Sequence, residues 1–175
     1  VDSLGINLDI QQLKEMPTNR PWLLLFNTIA THIPFFNYPE AFAEKPEDPM
    51  VRYRNALRYT DQQLGRFLDS LSKRSDFKRT VVLILGDHDT PVDSVDRKIP
   101  QPIGVSSSQV FMGIFSADTN LFNGLTVRED VASQLDIGPT IMDLAGVREP
   151  NHFWGYDLLV DERPAEQPSL FFGEN

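Results

Sequence analysis

TVVLILGDHD, residues 80–89, is the stretch on which the fold turns. Five large aliphatic residues at 81–85 run straight into Gly86, Asp87, His88 and Asp89. An unbroken apolar run of this length reads as a strand buried on both faces, as strands inside a parallel sheet are. In open α/β sheets, ligands gather beyond the carboxyl ends of the strands. Asp87 and His88 occupy that position, and a carboxylate beside an imidazole suits Zn²⁺ or Mn²⁺. Successive strand residues point to opposite faces, so both side chains reach one ion only if the chain turns directly after the strand. The same two residues can also simply open a loop, the Asp accepting backbone N–H bonds and the His exposed. Asp89 either joins the site or repels its neighbours.

Moving outward, PWLLLFNTIA (21–30) is a second continuous apolar run, bounded by Pro21 and followed by Thr31 and His32. It predicts another strand, whose carboxyl end puts His32 on the crevice edge that Asp87 shares. His32 is one of three histidines. It is a candidate ligand or donor to a substrate oxyanion, or else a polar strand terminus before a Pro turn. SQVFMGIFSA (108–117) predicts a third strand and SLFFG (169–173) a last one, with a long irregular loop over 87–107.

Residues 37–49 are a Pro-rich connection ending in Asp48, an N-cap, and Pro49, suited to a first helical turn. A helix follows over 50–73. Met50, Tyr53, Leu57, Leu64, Phe67, Leu68 and Leu71 recur at three- and four-residue steps and form its apolar stripe. Gly65 inside it predicts close packing against a neighbour. Asp61, four residues after Leu57, falls on the stripe and predicts a structural hydrogen bond to a nearby loop. Tyr53 and Tyr59 read as packing residues, as do His152 and Trp154 in a later loop. DIGPTIMDLAG (136–146) predicts a short helix with Ile137, Ile141 and Leu144 on one face and Gly146 as its stop. The alternation predicts an α/β domain with a largely parallel sheet flanked by helices.

The chain has 175 residues, of which 41% are hydrophobic and 23% charged, enough for one domain with a proper core. Its net charge of −9 repels phosphate backbones and argues against nucleic acid as a partner. An anionic substrate stays open, because a bound metal reverses the local sign. There is no cysteine, hence no disulfide, no thiolate-bound zinc and no thiol nucleophile. No apolar stretch is long enough to span a bilayer. A chain that begins VDSLGINLDI and stops at LFFGEN reads as an excised piece of a longer protein. Hydroxyl candidates for a nucleophile are Thr28, Thr31, Thr90, Ser106, Ser107 and Ser108, and none sits in an activating motif. There is no Gly-rich phosphate loop.

RPWLLLFNTIATHIPF, YRNALRYTDQQLGRFLDSL, TVVLILGDHD, VFMGIF, ASQLDIGPTIMDLAGV and WGYDLL follow one another in an order that resembles the sulfatase group of the alkaline phosphatase superfamily. The resemblance is to the membrane-anchored branch that includes lipoteichoic acid synthases and phosphoglycerol or phosphoethanolamine transferases. It implies an alkaline phosphatase-like fold, here a partial domain covering 1–175. It also implies a Thr, Ser or modified Cys nucleophile activated by divalent metal, which takes up a phosphoryl or sulfuryl group and passes it to water or a hydroxyl. The family's Asp-His metal ligands fall on Asp87 and His88, and its substrate-side histidine falls on His32. Metal identity among Mn²⁺, Zn²⁺ and Ca²⁺ stays open. The family places Gly after the Asp-His pair, where this chain has Asp89. Its nucleophile and first acidic ligand lie upstream of the His segment, before this chain starts. The expectation is the C-terminal part of a catalytic domain, inactive alone and a weak metal binder. The parent would be membrane-anchored and face the extracytoplasmic side, acting on a phosphate or sulfate ester and drawing on a lipid donor if it follows the branch. The alternative is a sulfatase-like module that binds a ligand or partner without catalysis.

Overall fold

The computed structural model describes residues 2–88, 110–122, 127, 132–150 and 152–159. The chain divides into two compact units, Val1–Ala117 and Asp118–Asn175.

In the first unit, helix α1 (Asp2–Glu15) packs on helix α2 (Pro49–Leu71). The sequence reading did not include α1, although Ile6, Ile10 and Leu13 sit at helical spacing and face inward. Ile6, Leu13, Phe67 and Leu71 form one buried cluster, with Trp22, Leu24, Phe26 and Val82 packed against it. Burying such a side chain fully contributes about 1.5–3 kcal/mol. A second cluster gathers Ala30, Phe35, Tyr38, Ala56 and Tyr59. Helix α2 begins as expected, with the Asp48 side chain accepting from the Met50 N–H at 2.8 Å and Pro49 in the first turn.

The buried stripe of α2 is Ala56, Tyr59, Gln63, Phe67 and Leu71. It is rotated from the predicted one. Leu57 is exposed, and so is Asp61, which therefore requires no structural partner. A Cβ on Gly65 would meet no atom within 4 Å, so this glycine does not serve close packing. Tyr53 and Tyr59 do pack, both against the second cluster.

Strand β1 (Val81–Leu85) lies where predicted, and strand β2 (Met112–Ser116) forms the centre of the predicted third strand. They pair antiparallel, with Val81 opposite Ser116, Leu83 opposite Ile114 and Leu85 opposite Met112. This corrects the expected parallel sheet for the strands described. The residues of β1 are only partly buried, Leu85 being 39% exposed, so this apolar run does not mark a strand covered on both faces.

Residues 21–30 depart further. They form no strand, although burial alternates residue by residue: Trp22, Leu24, Phe26 and Thr28 are half-buried, whereas Leu23 and Leu25 are 76% and 85% exposed. Yet residues 22–28 make no backbone hydrogen bond to another described residue. The segment has the alternating burial of a strand, without a ladder among the described residues. The side-chain pattern reports the alternation, and a ladder needs a neighbouring backbone about 4.8 Å away as well.

In the second unit, a short 3₁₀ turn (Gln134–Asp136) leads into helix α3 (Ile137–Leu144). Gly146 (φ 71°) ends α3 as predicted: its N–H donates to Asp143 at 2.8 Å and that of Val147 to Met142 at 2.9 Å, the paired bonds of a Schellman stop. The expected strand at 169–173, and the loop expected over 87–107 beyond His88, lie outside the described residues.

Candidate metal and substrate site

Asp87 and His88 follow β1 after Gly86, whose N–H donates to the Phe111 carbonyl at 3.0 Å and so carries the antiparallel pairing one residue beyond the strand. The chain then turns. Asp87 Oδ1 accepts the His88 N–H at 3.0 Å, and Asp87 Oδ2 lies 3.6 Å from His88 Nε2. The turn therefore does what the strand could not and brings both donor atoms to one side. Two ligand atoms on a tetrahedral ion with bonds of about 2.1 Å stand about 3.4 Å apart, so the observed spacing fits a shared ion. Both side chains are largely solvent-exposed. The self-capping bond is also the loop-opening contact that an Asp-Xaa step makes without any metal. Among the described residues, no three His, Cys, Asp or Glu side chains gather into a metal-holding group. Asp89, Thr90 and Ser106 to Ser108 lie outside the described residues.

His32 stands just after the 21–30 segment, in a turn closed by its own N–H to Ile29 (3.0 Å) and by Phe35 N–H to its carbonyl (2.8 Å). It is exposed, and Nδ1 lies 2.7 Å from the Ile33 carbonyl. A carbonyl can only accept, so the contact places the proton on Nδ1 and makes Nε2 the acceptor nitrogen of the neutral ring. Neutral His32 can thus ligate or accept a proton through Nε2. Donation from Nε2 to a substrate oxygen requires the imidazolium.

The sequence reading missed Arg52. Its Nε donates to the Pro34 carbonyl at 3.2 Å, and its Nη1 to the carbonyls of Pro46 (2.7 Å) and Glu47 (2.6 Å). One arginine near a helix start carries no sequence signal that separates it from a solvated surface charge. In the second unit, His152 and Trp154, read as packing residues, are both exposed, Trp154 at 71%.

The sulfatase family profile matches residues 8–147, which takes in the His32 turn, α2, the β1–Asp87–His88 step and α3. The chain belongs to the sulfatase family. Among related proteins, this sulfatase-family chain is 28% identical over 142 residues to the lipoteichoic acid synthase of Staphylococcus saprophyticus, covering 75% of the chain and 22% of that protein. It is 23% identical over 166 residues to the lipoteichoic acid synthase-like YvgJ of Bacillus subtilis, covering 87% and 27%. With the arylsulfatase of Clostridium perfringens it shares 28% over 130 residues, covering 70% and 26%. The chain thus spans about a quarter of the length of these relatives. No solved structure matches it. Among the described residues, no helix is long and apolar enough to cross a membrane.

Proposed function

We propose that this chain is the C-terminal part of a sulfatase-type catalytic domain, in a parent enzyme that hydrolyses or transfers phosphate or sulfate esters with a divalent metal. The observation that carries the reading is the Asp87–His88 turn at the carboxyl end of β1, with a carboxylate oxygen and an imidazole nitrogen 3.6 Å apart, in a chain of this family. Asp87 and His88 would hold Mn²⁺, Zn²⁺ or Ca²⁺ together with acidic ligands supplied from upstream. When bound, such an ion lowers the pKa of a hydroxyl nucleophile and neutralises charge on the transferring group. His32 would contact the ester oxygens. Two donors make a weak site, so the 175-residue chain alone binds metal weakly and does not turn over.

A phosphoglycerol or phosphoethanolamine lipid donor accords with relatives named as lipoteichoic acid synthases, and a sulfate ester accords with the arylsulfatase. Under the first of these readings the parent would be membrane-anchored, with its catalytic domain at the extracytoplasmic face. The test is a protein extended upstream through the rest of the domain, assayed with p-nitrophenyl phosphate diester, monoester and sulfate in Mn²⁺, Zn²⁺ and Ca²⁺. Metal-dependent turnover that disappears in Asp87→Ala and His88→Ala is expected, and the preferred ester identifies the substrate class. A folded protein inactive on every ester with every metal would replace this reading with a non-catalytic, ligand-binding sulfatase-like module.

A further inference from the structure

Two backbone bonds close the turn that carries His32, and one side chain ties the loop that follows it to α2. Pro34 lies just after His32. Pro46 and Glu47 lie just before the N-cap of α2. Arg52 donates to all three of these carbonyls. It thereby ties both ends of the 34–47 loop to the first turns of α2. The guanidinium carbon also stands 4.6 Å from the centre of the Phe36 ring, a cation–π contact. The next helical residue, Tyr53, meets Phe35 edge-on at 5.2 Å.

Phe35 is buried at 3% exposure and has φ 66°, a left-handed conformation that a large side chain adopts only when its surroundings force it. Strain of this kind three residues from His32 points to a geometry selected for more than stability. The Arg52 bonds have the same character. Two of the three acceptor carbonyls are in exposed contacts, where water would serve them equally well. The α2 N-terminus is already capped by Asp48. What a planar fork adds over water is a fixed direction.

We propose that Arg52 is a positioning residue for His32: by clamping the 34–47 loop to α2, it fixes the turn that orients the His32 ring. The proposal rests on the reading of His32 as the substrate-side histidine, and the test separates the two. On the 175-residue chain, ring ¹⁵N resonances are recorded for wild type, Arg52→Gln and Arg52→Lys. Wild type is expected to show the Nδ1–H tautomer that the Ile33 contact dictates. Both variants are expected to show averaging between the two tautomers, while amides of the second half of α2 keep their shifts. Lysine should not rescue, because a point charge cannot bridge both loop ends. In the upstream-extended protein, Arg52→Gln should lower kcat/KM for the preferred ester by about 10- to 100-fold, the scale of a misplacement near 1 Å, and mainly through KM. If either folded variant keeps the wild-type His32 tautomer, the clamp is refuted and the site assignment stands untouched. If the ring is released but His32→Ala leaves ester turnover intact, the role of His32 falls and the proposal falls with it.

Discussion

Replacing Gly65 by alanine adds a methyl group that meets nothing within 4 Å, on an exposed position of α2. Glycine inside a helix costs about 0.5–1 kcal/mol relative to alanine, so Gly65→Ala should raise stability by that amount in chemical denaturation. No gain, or a loss, would mean that something covers this face in solution. Gly65 also marks the limit of reading a helix by spacing. The period of α2 was legible, but its phase was not: Leu57 and Leu64 fit an apolar stripe as well as Tyr59 and Gln63 do, and only the partners of the helix decide which face is covered. Asp61 was misplaced for the same reason. Asp48, Pro49 and Gly146 were legible, because each acts on its own backbone within a few residues.

At the scale of elements, two polar knots join segments that are distant in sequence. In the first, Arg74 forks onto Asp76 with bonds of 2.9 and 2.8 Å and also donates to the Leu13 and Met16 carbonyls at the end of α1, while Trp22 Nε1 donates to Asp76 at 3.0 Å. The Arg74 hydrogen bond, aided by that of Trp22, lowers the Asp76 carboxyl to about 2 against burial, which alone would raise it. A depressed carboxylate stabilises the fold above its unfolded value of 3.8 and loses that contribution as pH falls towards about 2. Unfolding free energy should therefore drop by about 1–2 kcal/mol more between pH 5 and pH 2 in the wild type than in Asp76→Asn. Equal acid sensitivity in the two would sink this account.

The second knot lies in the other unit. Asp136, buried at 2% exposure, accepts the N–H groups of Ser133 (2.8 Å) and Tyr156 (2.7 Å). Thr140 donates to the Asp136 carbonyl and accepts from Leu158 N–H at 2.9 Å. These bonds explain why LDIGPT and WGYDLL occur in one chain: the first supplies the acceptors for the second. Asp136→Ala strands two N–H groups at about 1–3 kcal/mol each, so a loss of about 2–6 kcal/mol is expected, with Tyr156 and Leu158 amides exchanging first. The sequence held both motifs but no sign that one would staple the other, since a buried Asp and an exposed one look alike in a string of letters.

At the scale of the molecule, the order α2, β1, β2, α3 was legible, whereas α1 and the sheet were not. Apolar runs at 21–30 and 81–85 both predicted strands; 81–85 is one, and 21–30 is not. Pairing and direction depend on neighbours from elsewhere, and a chain spanning about a quarter of its relatives' length need not bring them all. Leu23, Leu25 and Ile29 are exposed, and residues 22–28 have no ladder among the described residues. Backbone of this kind is a template for association. The 175-residue chain should self-associate with rising concentration in sedimentation velocity, and Leu23→Lys with Leu25→Lys should suppress this without unfolding α2. A monomeric wild type at high concentration would contradict it.

The same segment offers a clock. An amide without a hydrogen-bond acceptor trades its proton with water at close to the rate of a free peptide, whereas one locked in a ladder waits for the fold to open. The amides of residues 22–28 should therefore exchange early in this chain, although their Trp, Leu and Phe side chains pack against the helices. If upstream sequence completes the sheet, the same amides should become slow. Their exchange rate would then report how much of the domain has assembled, with no substrate, metal or activity required.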